Sequence, residues 1–178
     1  MLNIIAGSLS VGVTPSTSSY ESIATSTVGS GGASYIEFTS IPSGFEHLQI
    51  RAIILPNTTS GNTNYLQLNG DTGNNYAWHL LRNAASLAST SGPEGAAISM
   101  YGGTNVAGPV IFDILDYKNT NKYKTVRGIG GLDDNTNGFI NFTSGLWQNT
   151  NAVTSIKIYN AADFKQYSHF ALYGIKGS

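Results

Sequence analysis

HLQIRAIIL, residues 47 to 55, decides how this chain folds. Leu48, Ile50, Ala52 and Ile54 occupy every second position, while Gln49 and Arg51 begin the opposite set. A period of two is that of a β-strand with one buried face. The pattern continues on both sides. Upstream, Tyr35, Glu37 and Thr39 alternate with Ile36 and Phe38. Downstream, Ile156 and Ile158 oppose Ser155, Lys157 and Tyr159, and Phe170 and Leu172 oppose His169, Ala171 and Tyr173. Clusters of Gly, Asn and Ser separate these runs, which predicts roughly ten short strands in an all-β, single-domain antiparallel β-sandwich or barrel. Only AWHLLRNAASLA (77–88) has helical spacing, through Trp78, Leu81, Ala85 and Ala88. A strand over Tyr76 to Leu81 followed by a loop explains it as well and is the reading adopted.

One hairpin can be specified. VIFDILDY runs through KNTN into KYKTVRGIG. A turn centred on Asn119-Thr120 pairs Asp116 with Tyr123 and Phe112 with Arg127. It sets Asp113 diagonally near Lys124 as a surface ion pair.

Composition narrows the function. The chain has 178 residues, enough for one domain with a substantial core. Charged residues are 11% of it, against about 25% in ordinary soluble domains, while hydrophobic content is 40%. Ser, Thr, Asn and Gly therefore carry the polar surface. Such a surface steers charged partners poorly but tolerates close packing against another protein. A net charge of −1 gives no general attraction to nucleic acid or anionic membrane. Without cysteine there are no disulfides, thiolate metal sites or Cys nucleophiles. No run approaches the roughly 18 apolar residues of a membrane span, and the N-terminus lacks a basic leader, so a soluble chain without a cleaved signal is expected. Residues 1–18, rich in small side chains, read as an edge segment or an arm ordered against a neighbouring subunit; residues 19–178 form the sandwich. Asn57-Thr58-Thr59 and Asn141-Phe142-Thr143 match the glycosylation sequon.

Motifs for chemistry are incomplete. Asp133-x-Asn135-x-Asn137-Gly138 opens like a calcium loop, but the twelfth position is Ser144 where a bidentate Glu is needed. Phe139-Ile140-Asn141-Phe142 reads as a strand there, and Asn137-Gly138 as a hairpin turn. Asn69 to Asn75 is likewise a turn without a closing carboxylate. Gly29-Ser30-Gly31-Gly32 and Gly128-Ile129-Gly130-Gly131 begin like dinucleotide fingerprints; no helix follows, so turns or strand ends are expected. There is no G-x-S-x-G elbow. His47, His79 and His169 lie in separate strand-like runs. Asp113 and Asp116 point to opposite faces, so no glycosidase pair forms. The expectation is no catalytic, cofactor-binding or metal-binding residue and no enzyme. Trp78, Trp147 and Tyr101 are the candidates for sugar stacking. Lys118, Lys122, Lys124 and Arg127 form a basic hairpin that lacks the wider positive field of nucleic-acid binders.

SYIEFTSIPSGFEHLQIRAII (34–54), NGDTGNNYAWHLL (69–81), FDILDYKNTNKYKTVRGIGG (112–131), SGLWQNTNAVTSIKIY (144–159) and FKQYSHFALYGIKG (164–177) together resemble, in this order, virion structural proteins of tailed bacteriophages. DYKNTNKYKTVR and SGLWQNTNAVTSI are the most specific parts. The resemblance spans roughly Ser19 to Lys176 and implies a jelly-roll-like sandwich, an oligomer that is often a trimer, and a place on the virion exterior. It implies two roles. One is a capsid decoration (cement) protein bound to the major capsid protein; the other is a tail-fibre or appendage module that holds host surface glycans. Maturation in the host cytoplasm, where disulfides seldom form, fits the absence of cysteine.

Deleting residues 1 to 18 is expected to weaken assembly more than folding. Melting temperature and particle binding measured on the truncated chain check this. A much lower melting temperature with normal binding contradicts it.

Overall fold

The computed structural model describes residues 18–58, 62–82, 85–92, 95–101, 106–133, 135 and 138–177, so the predicted N-terminal arm lies outside the described residues except for Ser18. Among the described residues twelve strands follow in chain order. They are β1 (Tyr20–Thr27), β2 (Ala33–Phe38), β3 (His47–Ile54), β4 (Asn62–Leu68), β5 (Tyr76–Arg82) and β6 (Ala85–Gly92), then β7 (Ala96–Tyr101), β8 (Gly108–Leu115), β9 (Lys124–Asp133), β10 (Gly138–Trp147), β11 (Ile156–Phe164) and β12 (His169–Ile175). All pairings are antiparallel. The large sheet has the order β1-β12-β3-β8-β9-β10-β5-β6 and the small one β2-β11-β4-β7. No helix among the described residues is long and apolar enough to cross a membrane.

The order resolves into a rolled ribbon. Pairs β1·β12, β2·β11, β3·β8 and β4·β7 are the rungs of one long antiparallel ribbon. Rolling it brings β12 beside β3 and β11 beside β4. Those eight strands form a jelly roll. Hairpins β5–β6 and β9–β10 are inserted between its strands and extend the large sheet beyond β8. The expected antiparallel sandwich is therefore what the chain builds, with twelve strands where the sequence suggested about ten. The segment after Leu81, expected as a loop, is strand β6 paired with β5. Its small, polar residues give little strand signal, and pairing with β5 sets its conformation.

The two sheets meet through the alternate residues that define the strands. Leu48, Ile50 and Ile54 of β3, Phe112 and Ile114 of β8 and Phe170 and Leu172 of β12 pack against Ile36, Phe38, Leu66, Leu68, Ile156 and Ile158 of the small sheet. Four strands cannot cover eight, and the small sheet ends with β7, which packs across β9, β10 and β5. That approach is close. A Cβ placed on Gly145 of β10 meets the Ala96 Cβ at 2.7 Å. Beneath β7 the inward positions are accordingly small or polar, with Gly128, Gly130, Asn141, Thr143 and Gly145 all buried. Gly128 to Gly131, expected as a turn or strand end, lies inside β9; a Cβ on Gly131 meets the Phe139 carbonyl oxygen at 2.6 Å.

The β8–β9 hairpin differs from its predicted register by one residue. Asp113 stands opposite Arg127 and Leu115 opposite Thr125. Asp116 adopts a left-handed backbone (φ 50°) and opens a longer turn. A one-residue shift moves a side chain to the other face. Lys124 therefore enters the interior and makes no pair with Asp113, which instead accepts a hydrogen bond from Gln49 Nε2 at 2.8 Å. The fully buried Lys124 ammonium donates to the carbonyls of Asn119 (2.6 Å), Lys122 (3.0 Å) and Thr150 (3.0 Å). Three donors meet three acceptors. Burial, and then the charge of Lys122, lower its pKa, while Asp116 works against that shift.

Lys124→Met keeps the stem and removes the ammonium, stranding three carbonyls. Urea unfolding is expected to show a loss of about 2–4 kcal/mol. A change below about 0.5 kcal/mol, the level of an ordinary surface substitution, contradicts the assignment.

Candidate functional site

Because the inward parity of β8, β9, β10 and β5 is fixed by the core and by β7, their other residues face solvent. Register then makes Ile111, Ile129, Phe142 and Leu81 direct neighbours across four strands. They are 41%, 50%, 45% and 48% exposed. One step along, Ile53, Pro109, Gly131 and Ile140 form a second row, with Ile53 51% and Ile140 67% exposed. Gly131 leaves a gap in that row, a groove of about 320 Å³ between Pro109, Ile111, Ile129 and Ile140. Among the described residues no charged side chain stands in either row from β8 to β5.

A polar row borders this platform: Gln49, Asp113, Arg127, Ser144 and His79 are neighbours in register. Gln49 accepts from Arg51 Nε at 2.9 Å while it donates to Asp113. The Arg51 guanidinium closes the β3 side, 5.8 Å from the Tyr20 ring centre and 5.7 Å from that of Tyr173. Six large apolar side chains, each about half exposed, put several hundred Å² of apolar surface on one face. The largest patch on a typical monomer is about 300–600 Å², and such patches mark interaction surfaces. An apolar centre with a hydrogen-bonded polar rim is the anatomy of a protein–protein interface.

No known family profile matches this chain, and no curated relative does. A solved alginate lyase variant in complex with an alginate trisaccharide is similar at 10% identity and a TM-score of 0.32, over 85% of this chain and 81% of that one. A likeness that weak carries no argument.

The residues singled out in the sequence scatter. His47 accepts from the Asp116 backbone N–H at 2.9 Å, His169 shares a hydrogen bond with Thr27 Oγ1 at 2.7 Å, and His79 is exposed on β5. Trp147 is buried, so stacking on a sugar is closed to it; its Nε1 donates to Asp71 at 2.7 Å. Trp78 shares the inward parity of Tyr76 and Leu80. The Tyr101 side chain lies outside the described residues. The basic hairpin is divided: Lys118 pairs with Glu46 at 3.0 Å, Lys122 with Asp116, and Lys124 is interior. Only Arg127 belongs to the platform's rim.

The calcium-like stretch joins β9 to β10. Asp133 Oδ1 accepts from the Asn135 N–H at 2.8 Å, Asn135 is left-handed (φ 69°), and Gly138 is a strand residue opposite Asp133. Asp134 and Asn137 lie outside the described residues. Ser144 belongs to β10, well away from that turn. Among the described residues no three His, Asp or Glu groups converge as metal ligands. Asn141, the acceptor of its sequon, is buried. The platform itself escaped the sequence reading because β9 and β10 carry apolar residues at both parities.

Asp71 anchors the loop before β5. Burial pushes its pKa up, and hydrogen bonds from Trp147, the Gly73 N–H and Asn75 together hold it below the usual carboxylate value. A hydrogen bond from Lys122, against a smaller burial effect, does the same for Asp116. Folded values below the unfolded value of about 3.9 mean stability that is complete above roughly pH 5 and lost as pH falls through the folded values. Melting temperature is expected to drop below about pH 4, and Asp71→Asn to melt lower at pH 7 with a shallower acid slope. An unchanged slope contradicts the role given to Asp71.

Proposed function

We propose that this protein is a structural component of a bacteriophage virion, a capsid decoration protein that assembles through the outer face of β8, β9, β10 and β5. One observation carries the reading: two contiguous rows of large apolar side chains face outward on β8, β9, β10 and β5, and where β7 crosses β9 and β10 the inward positions behind them are Gly128, Gly130, Asn141, Thr143 and Gly145. Exposing Ile129, Ile140 and Phe142, at 50%, 67% and 45%, is unfavourable for a lone monomer. The arrangement becomes favourable when another protein covers the face. The charge-poor surface and the ordered resemblance to phage virion proteins support the same reading.

In this proposal the platform contacts a second copy of the chain around a closed symmetry axis, a trimer being the form the resemblance implies. Remaining edges and loops rest on the major capsid protein. Many modest contacts around one axis give firm attachment through avidity. The role asks for no catalysis and no cofactor, and it places the protein on the particle exterior.

Analytical ultracentrifugation of wild type and Ile129→Lys/Phe142→Lys tests the assembly. The wild type is expected to sediment as an oligomer. The variant, whose substitutions are on the solvent face, is expected to keep its melting temperature and associate at least tenfold more weakly, about 1.4 kcal/mol. Binding of wild type to undecorated capsids and not to host cells supports decoration. A monomeric wild type, or a variant that assembles equally well, contradicts the proposal.

A further inference from the structure

The end of the sandwich where the β1–β2, β3–β4 and β11–β12 connections meet holds a cavity of about 670 Å³, lined by Ser30, Gly32, Asn57, Asp163, Lys165 and Tyr167 among others. Its volume is within the usual range for small-ligand sites, about 300–1,000 Å³. Three of its residues have left-handed backbones: Gly32 (φ 71°), Asp163 (φ 59°) and Tyr167 (φ 73°). For Gly32 the cause is local, since a Cβ there lies 3.0 Å from the Phe164 carbonyl oxygen.

Tyr167 is the third residue of the turn 165–168, which the Ser168 N–H closes on the Lys165 carbonyl at 3.1 Å, and that position takes a positive φ. A bulky residue in that region is strained, and Gly or Asn would serve the turn with less strain. Tyr167 is 71% exposed, so core packing does not offset the strain. The backbone around it is held firmly. Tyr167 N–H donates to Val28 at 3.0 Å, Lys165 N–H to Leu55 at 2.8 Å and Asn57 N–H to Asp163 at 3.1 Å. The buried Ser168 hydroxyl ties Leu55 at both its N–H (2.9 Å) and its carbonyl (3.1 Å). The result is an exposed aromatic side chain carried on a firmly held backbone at the mouth of a concavity. Strain kept at a pocket is a signature of a binding site.

We propose that this pocket binds one pyranose residue of a neutral glycan. The lining supplies hydroxyls and amides from Ser30, Ser34, Asn57 and Gln166, with one carboxylate, Asp163, and one ammonium, Lys165. That balance suits an uncharged polyhydroxyl ligand, and the Tyr167 ring offers a face to the C–H side of a sugar. A single carboxylate without a facing partner gives recognition and no glycosidic cleavage. Tyr35, two residues past the pocket's Ala33 on β2, is 47% exposed beneath the Lys157 ammonium at 4.6 Å and extends the surface for a longer chain. This site is independent of the assembly platform.

The test is titration of the isotope-labelled full chain with the methyl pyranosides of glucose, galactose, mannose and N-acetylglucosamine to on the order of 10 mM, followed by amide and ring resonances. At least one sugar is expected to shift Gly31, Gly32, Asp163 and Tyr167 together. Tyr167→Phe is expected to bind within about threefold of wild type and Tyr167→Asn at least tenfold more weakly. Asn accepts the left-handed backbone, so Tyr167→Asn should melt no lower than wild type. Should that variant fail to fold, the wild-type shift map decides alone. No shift at these residues with any of the four sugars, or full binding by Tyr167→Asn, overturns the proposal.

Discussion

The close approach of β7 to β9 and β10 is the constraint on which the rest of this molecule depends. With Ala96 pressed against Gly145, the space beneath β7 admits only small side chains. Gly128, Gly130 and Gly145 fill it together with buried Asn141 and Thr143. Leu132, Phe139 and Trp147 are inward toward the ends of these strands, but side chains alternate along a strand, so between them Ile129, Ile140 and Phe142 fall on the outer face. Directly under β7, where a Cβ on Gly145 would lie 2.7 Å from that of Ala96, the inner layer is too tight for residues of that size. The reversal of the usual sandwich polarity is built into the backbone spacing.

A second economy follows from the scarcity of charge. The loops are joined by neutral and backbone hydrogen bonds where other proteins use ion pairs. Asn69, in a left-handed conformation, donates to the Ala152 carbonyl at 2.8 Å and accepts from the N–H groups of Thr154 (2.8 Å) and Ser155 (3.1 Å). Tyr117, buried, donates to the Pro42 carbonyl, and Tyr76 bonds the ends of the β4–β5 loop. Burial raises the pKa of both tyrosines, which keeps their hydroxyls protonated as donors. Lys124 does by charge what these do without it. Such staples give preformed loops and a surface that other proteins can meet without desolvating many ions.

Much of the fold was legible in the sequence. Alternation in HLQIRAIIL and TSIKIY marked strands that contribute the central core, and Gly/Asn clusters marked their turns. The jelly-roll order was not legible from periodicity, since it depends on which rungs pair across the whole chain. β6 was missed because ASLASTSG carries almost no β-branched apolar residue. The β8–β9 register was misread by one because nothing local announces a left-handed Asp116. That single residue turned Lys124 from a surface partner into an interior one. The platform was hidden for a related reason: FINF places apolar residues on both faces, and only the position of β7 says which face is covered. Tyr167 stood in the sequence as one of ten tyrosines, and its significance appears only with its backbone angle.

The absence of cysteine allows a direct probe of the face proposed to be covered. A single thiol introduced as Ile129→Cys, with Glu37→Cys on the opposite sheet as reference, can be labelled by a maleimide in the otherwise wild-type protein at high concentration, where the proposed assembly forms, and after dilution or dissociation. The account requires position 129 to be protected at least tenfold in the assembly while position 37 reacts equally in both states. Equal labelling of position 129 in both states would contradict it.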